Sequence, residues 1–407
     1  MSQAATYSSK ATSAKRDSRS SKVLVGLSGG IQSAVVAALL RAQGRDVVGV
    51  HLKLSSAGAP FLSRCRKTAD QSVAEAVRLA KILDIHLEVV EAQSEFQAFV
   101  EDPFIHDRLG QWVNSPCFNC HSQFKVGLLL READRLKIDH VATGHGASIA
   151  HDPSLGVYRL LAATNPHQDQ SAYLSGLSQA QLSRLEFPLG NLSETIVKRL
   201  SVEIDETLGP DQARSQPCLL SEREVEAVMR PRLPSYFHNP GAIRLGSGSI
   251  VGEHRGSWQF YPGRVVPPEM QGFTQEKTAL VALRLDQEMG SFVAISQQDW
   301  PASRWILADL HTVRPFDLFH SLDCKLRLLP GGSSWPQRSA EYVARVLPLE
   351  GDRLLVDFGD VRVPLMAGEV IVFESGGEVL GRARAVGHVD RVKTAQGAED
   401  VWGGQKS

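Results

Sequence analysis

The first stretch of this chain able to do chemistry is Gly26-Leu27-Ser28-Gly29-Gly30-Ile31-Gln32-Ser33, set between a short apolar run and an apolar helical stretch. Adjacent glycines permit positive φ and let backbone N–H groups converge. Ser28, Ser33 and the positive end of the following helix add donors for a phosphate. The stretch has neither the Gly-Lys-Ser/Thr of a Walker loop nor the spacing of a dinucleotide fingerprint, so a purely structural strand-turn-helix connection is the alternative reading. The second group is five cysteines, Cys65, Cys117, Cys120, Cys218 and Cys324. One thiolate accepts sulfur as a persulfide and a second releases it by attack, so two cysteines far apart in sequence suffice for a sulfur relay; two small buried hydrophobes are the alternative. Cys117 and Cys120 form a C-x-x-C. With Cys218 they supply three thiolates, the set that leaves one iron open in a [4Fe-4S] cluster or one position open at tetrahedral zinc. Cys65, in LSRCRK, reads as a passive thiol, and Cys324, at the start of a strand, as core.

The elements that must position these groups are legible around them. VLVGL precedes the glycines, and SAVVAALLRAQG follows as a helix closed by Gly44. The alternation continues with DVVGVHLKL as strand, VAEAVRLAKIL as helix, HLEVVEA as strand, FKVGLLLREADRL as helix and HVATGH as strand. Strands separated by helices of this length call for a parallel sheet covered on both faces, with ligands beyond the carboxyl ends of the strands. Both SGG and the TGH at 143–145 fall at such ends.

Past residue 222 the text becomes Gly- and Pro-punctuated, with short alternating runs of a small β-rich module over 223–303. CKLRLL, EYVARVLPL, DRLLVDF, VRVPL and EVIVFE then read as closely spaced strands of a β-barrel over 304–391. Residues 1–21 read as a disordered, mildly basic tail and 392–407 as a loose one, leaving 22–222 for the α/β domain.

Composition bounds the function. In 407 residues, 43% hydrophobic and 22% charged, Lys+Arg 44 against Asp+Glu 45 gives a net charge of −1, so a nucleic-acid partner needs a local basic patch. Arg214, Arg223, Arg230, Arg232, Arg244 and Arg255 are spaced to form one; scattered solvated arginines are the alternative. No run reaches the roughly 18 apolar residues of a membrane helix, and no charged-then-apolar leader precedes the cysteines. The expectation is a soluble cytoplasmic protein with reduced thiols.

Several segments together carry a resemblance. SGGIQS is similar to the S-G-G-x-D-S loop of the ATP pyrophosphatases. From 22 to about 390 the chain resembles one family of that superfamily, the tRNA-specific 2-thiouridylases. Ser115-Pro116-Cys117-Phe118-Asn119-Cys120 matches N-P-x-x-x-C, and Ala142-Thr143-Gly144-His145 matches A-T-G-H. Gln168-Asp169-Gln170-Ser171 matches K-D-Q-S, Phe187-Pro188-Leu189-Gly190 matches F-P-x-G, and Val251-Gly252-Glu253-His254-Arg255-Gly256 resembles G-E-H-x-G.

The resemblance implies an ATP pyrophosphatase fold followed by a β-rich module and a barrel, and ATP-dependent thiolation of the wobble uridine of tRNA through an adenylated intermediate. It implies ATP and Mg²⁺ at Gly26 to Ser33, Leu52 and Gly144, catalytic Cys120 and Cys218, tRNA contacts at His145 and Glu369, a persulfide-carrying donor protein, and a disulfide bond within the sulfur chemistry. A satisfied strand-end histidine is the other reading of His145. Cys117 stands where many relatives carry aspartate, so a cluster held by Cys117, Cys120 and Cys218 competes with a plain relay. Gln32 stands where the loop usually has aspartate, and an amide is a poor ligand for a hard cation. The rival readings are therefore a diverged iron–sulfur thiolase or desulfidase, and a tRNA-binding pseudo-enzyme.

Overall fold

The structure, a computed structural model, describes residues 22–54, 69–110, 112–113, 115–208, 229–261, 264–272, 279–286, 290–296, 303–314, 322–328, 340–349, 353–363 and 365–388. Cys65, Cys218, Arg214, Arg223 and the two expected tails lie outside the described residues.

The glycine loop is entered from β1 (Lys22–Gly26), which lies at the centre of a parallel sheet with β2 (Asp46–Lys53), β3 (His86–Glu91), β4 (His140–Ala142) and, after the hairpin β5 (Ala147–Asp152) and β6 (Val157–Ala162), β7 (Leu185–Glu186). The order is β3-β2-β1-β4-β7. Val23 and Val25 pack with the Ile31–Ala42 helix on one face, and Leu24 packs on the other with Val126, Leu129 and Ala133 of the Val126–Arg135 helix. That two-faced burial is why β1 reads as a continuous apolar run rather than an alternation. Strand order reverses at β1, whose neighbours are β2 and β4, so the crevice for a ligand opens where the loop after β1 meets the end of β4.

Four strands, β8 (Gly241–Leu245), β9 (Ile250–His254), β10 (Leu280–Asp286) and β11 (Ser291–Ser296), form the second sheet, in the order β10-β11-β8-β9. Its apolar face, with Ile243, Val251 and Phe292, shares a cluster with Phe96, Val100, Phe104 and Phe124 of the α/β part.

The last six strands are β12 (Arg304–Thr312), β13 (Leu322–Leu328), β14 (Ala340–Pro348), β15 (Leu354–Asp357), β16 (Val370–Ser375) and β17 (Glu378–His388). They run β12-β15-β14-β13-β16-β17 and close through β12–β17. The result is an antiparallel barrel around Leu307, Leu326, Val356, Ile371 and Phe373; closure removes the exposed edges such strands would otherwise present. The expected strand VRVPL is a correction: 361–363 are unpaired. Its alternation still sends Val363 and Leu365 into the core while Val361 stays exposed, and Pro364, with no N–H, is a poor ladder residue.

The sequence reading also missed the β5–β6 hairpin, which joins barrel and α/β part. β6 pairs with β17 through Leu161↔Glu378 and Leu160↔Val379. Glu378 there receives both Arg159 of β6 (2.7 Å) and Arg314 (2.5 Å).

Candidate active site

The loop after β1 is built from its own side chains. Ser33 Oγ accepts the N–H of Ser28 (3.1 Å) and donates to the Gly30 carbonyl (2.9 Å). Gly29 has φ +81, and a Cβ there would lie 3.1 Å from the Ser72 carbonyl and 3.2 Å from Glu75 Cβ, so glycine is required twice over, by conformation and by space. The Ile31–Ala42 helix then starts with no side-chain cap and no acid in its first turn. Its N-terminal N–H groups are thus left to whatever anion arrives. His51 braces the loop from β2, its Nδ1–H donating to the Leu27 carbonyl (2.8 Å); burial pulls its basicity down, keeping it neutral. Leu52, one residue on, is half-buried at the end of β2.

Gly144 follows β4 and faces this loop. A Cβ there would stand 3.0 Å from Gln32 Cβ, 3.1 Å from its carbonyl carbon and 3.2 Å from the Ser33 N. Gly144→Ala is therefore expected to push the loop off its register. A roughly tenfold or larger rise in the Kd for ATP, read by equilibrium dialysis with the melting temperature little changed, checks this.

Cys117 and Cys120 are half-buried thiols on the turn that opens the Asn119–Lys125 π-helix. Cys324 is a buried thiol of the barrel core, as expected. Cys117, Cys120 and Cys324 are in no disulfide in this structure, so the expected disulfide bond finds no support at these three. Between the pair, Phe118 is fully buried against Tyr173 (5.6 Å between ring centroids). Among the described residues no three His, Cys, Asp or Glu side chains converge as a metal site. Cys117 and Cys120 share this turn but pack against different apolar clusters, and the third cysteine of the expected triad, Cys218, lies outside the described residues.

The sequence reading missed the neighbour of Cys120. His121 Nδ1 lies 2.8 Å from His145 Nε2, and His145 Nδ1 lies 2.6 Å from Thr143 Oγ1. The signal was a histidine directly after the cysteine. His121 also stacks on Tyr173 (5.4 Å, 23°). Both imidazoles are held neutral: burial, with Lys125 adding repulsion, takes His145 down to about 3 and His121 well below its ordinary value. His145, offered as a tRNA contact, is buried with both ring nitrogens engaged inside the protein, the geometry of the satisfied strand-end histidine.

The His145 shift sets an acid limit. In the unfolded chain this histidine takes up a proton near pH 6.5; in the fold it stays neutral to about pH 3. Between those values only the unfolded state binds the proton, so stability falls as pH falls, by about 1.4 kcal/mol per pH unit for this group. Urea midpoints from pH 7 to 4 should show this loss, and His145→Asn should flatten it by one proton.

Glu369, the other expected RNA contact, lies in a barrel turn where its carboxylate accepts the Met366 N–H (2.9 Å) and burial pushes its pKa up to about 8. The same turn touches the cysteine segment, since the Val113 N–H donates to the Ala367 carbonyl (2.9 Å). Of the spaced arginines, Arg232 is committed to Glu101 (2.9 Å) while Arg255 is exposed.

Known proteins similar to this chain bear on this arrangement. The family described as tRNA methyl transferase HUP domain matches residues 21–221. The tRNA-specific 2-thiouridylase of Solibacter usitatus is 33% identical over 254 residues, 60% of this chain and 68% of the relative. That of Leptothrix cholodnii is 33% identical over 237 residues, 58% of the chain and 60% of the relative. Over a longer span, that of Geotalea uraniireducens is 27% identical across 394 residues, 93% of the chain and 98% of the relative. With the glycine loop, the C-x-x-C turn and the end of β4 gathered at one edge of a parallel sheet, the chain belongs to the tRNA-specific 2-thiouridylase family.

Proposed function

We propose that this chain is an ATP-dependent tRNA 2-sulfurtransferase acting on the wobble uridine. The observation that carries the reading is the meeting, at the switch point of the sheet, of an uncapped helix N-terminus behind Gly29 and Gly30 with the β4 end at Gly144; this supports a phosphate site near the cysteine turn, in a chain of this family.

In this reading the ATP phosphates lie over Gly26 to Ser33, and the adenine lies beside the Leu52 backbone. Uridine O2 attacks the α-phosphorus, the bond to the β-phosphate breaks, pyrophosphate leaves, and the uracil N3 proton passes to solvent. Loop N–H groups stabilise the developing charge, being fixed before the reaction. Mg²⁺ travels with the ATP phosphates and water, since the loop offers the Gln32 amide in place of a carboxylate. A donor protein loads Cys218 as a persulfide. Cys120 attacks the Cys218 sulfur, a disulfide between the two forms, and the outer sulfur leaves as hydrosulfide; it attacks C2, AMP departs, and N3 regains a proton. This chemistry belongs in the cytoplasm, where thiols are kept reduced. The barrel and the β8–β11 module grip the tRNA, with the domain limits at 222, 303 and 391.

The test is a single reaction: purified chain, unmodified tRNA transcript, ATP, Mg²⁺ and a persulfide-loaded donor, followed by nucleoside mass spectrometry. ATP-dependent 2-thiouridine at the wobble position is expected. Thiolation of a different base, or sulfur removal, would favour the diverged iron–sulfur rival; tRNA binding without pyrophosphate release would favour the pseudo-enzyme.

A further inference from the structure

The turn that carries Tyr173 is tied down from three sides. Gln170 exchanges bonds with Gly146 beside His145, its N–H donating to the Gly146 carbonyl (2.7 Å) and its Oε1 accepting the Gly146 N–H (3.0 Å). Tyr173 itself packs on Phe118 and His121, the residues inside and directly after the C-x-x-C. The third tie comes from the barrel. Asp169 Oδ1 accepts the N–H groups of Ala163 (3.0 Å) and Ser171 (3.1 Å), and Oδ2 accepts from the Ser171 hydroxyl (3.1 Å) and from the guanidinium of Arg327 on β13. Arg327 also donates to Glu374 Oε2 on β16 (3.0 Å).

All three charged side chains are sealed: Arg327 is 10% exposed, Asp169 4% and Glu374 3%. Charges held this far from water are expensive to bury, and removing one partner leaves the others uncompensated. Ala163 and Ser171 close the turn on Asp169 from within, and Arg327 adds the charged partner from the barrel. The Arg327 bond therefore couples the turn to the barrel. A second barrel arginine, Arg382 of β17, stands over the Phe118 ring at 5.6 Å, and the apolar cluster beneath mixes Phe118 and Tyr173 with Val313, Val370, Val372 and Val379.

We propose that Arg327 of the barrel is a positioning residue of the cysteine site: through Asp169 it fixes the turn that holds Tyr173 on His121 and Phe118, so the barrel sets the geometry around Cys117 and Cys120 in addition to gripping tRNA. The proposal rests on the functional reading above for its kinetic arm and on geometry alone for its chemical arm.

Three full-length variants test it. Arg327→Lys keeps the charge and loses the planar fork. The triple change Arg327→Met, Asp169→Asn, Glu374→Gln removes every charge of the cluster while keeping side-chain size. Glu378→Gln, in the other ion cluster at the barrel joint, is the control. Iodoacetamide alkylation of Cys117 and Cys120, followed by peptide mass spectrometry, should be at least fivefold faster in the triple variant, intermediate in Arg327→Lys and unchanged in Glu378→Gln. With tRNA, kcat should fall at least tenfold while KM for tRNA moves less than twofold. Alkylation at the wild-type rate in a folded triple variant would overturn the proposal, as would an unchanged kcat with a raised KM, which makes the barrel a grip only. If the triple variant does not fold, Arg327→Lys decides by the same two readouts. Absence of 2-thiouridine from the natural protein defeats the functional reading and leaves the alkylation arm standing.

Discussion

Cys218→Ser should abolish 2-thiouridine formation, by on the order of a thousandfold or more, while ATP and tRNA binding stay within about twofold of the natural protein. A serine hydroxyl carries no persulfide and is a far weaker nucleophile near neutral pH than a thiolate. Cys120→Ser should be as severe for a different reason: the persulfide still loads on Cys218, yet nothing opens it. The two variants are therefore distinguishable by mass. After incubation with a persulfide donor, the Cys120→Ser protein should carry one extra sulfur and the Cys218→Ser protein none. Pyrophosphate release on tRNA should persist in both, because in the proposed mechanism adenylation precedes sulfur delivery. Full thiolation by Cys218→Ser would remove that residue from the mechanism. Cys117→Ala separates relay from cluster: a relay leaves it active and colourless, whereas cluster chemistry would give iron-dependent visible absorbance that this change bleaches.

The parallel sheet was legible because burial on both faces writes itself into composition. Val23, Leu24 and Val25 are all fully buried, and a run of that kind between a polar start and a pair of glycines has few other meanings. The glycine loop was legible for a related reason, as positive φ and close approach leave glycine almost alone at position 29. The β5–β6 hairpin was not, because most of its residues face neither a core nor water consistently: Tyr158, Arg159 and Leu161 are intermediate in exposure, and Arg159 and Leu161 meet a barrel strand more than 200 positions away. Distance along the chain, 158 positions, also hid the Asp169–Arg327 bond, for which no local pattern exists. VRVPL misled in the opposite direction. Its alternation is genuine and serves burial of Val363 and Leu365, but alternation reports which side of the chain faces a core and not whether a partner strand is present. The His121–His145 contact joins a helix start to a strand end, and spacing rules within one element do not reach across that gap.

In the proposed mechanism, Gln32 is the residue that bears most on ATP turnover. Its side chain makes no hydrogen bond to another described residue and lines a cleft with Gly144, Gly146, Asn165 and Gln168, beside the loop where the phosphates of ATP would rest. An amide offers a dipole where a carboxylate offers a charge, and Mg²⁺, which dehydrates reluctantly, keeps most of its water and takes its other ligands from phosphate. Loss of one protein carboxylate should then weaken adenylation without ending it, and the deficit should shrink as Mg²⁺ is raised. Gln32→Asp is expected to increase the rate of tRNA-dependent pyrophosphate release at least fivefold at low Mg²⁺ and to converge on the natural protein at high Mg²⁺, since charge at the loop substitutes for ion concentration. Aspartate is one methylene shorter than glutamine, and Gly144 leaves Cβ of this position untouched, so the loop accommodates the change. The measurement is pyrophosphate release with tRNA across a Mg²⁺ titration for both proteins. Release by the aspartate variant alone, at every Mg²⁺ concentration, would make the natural chain a tRNA-binding protein that no longer turns ATP over.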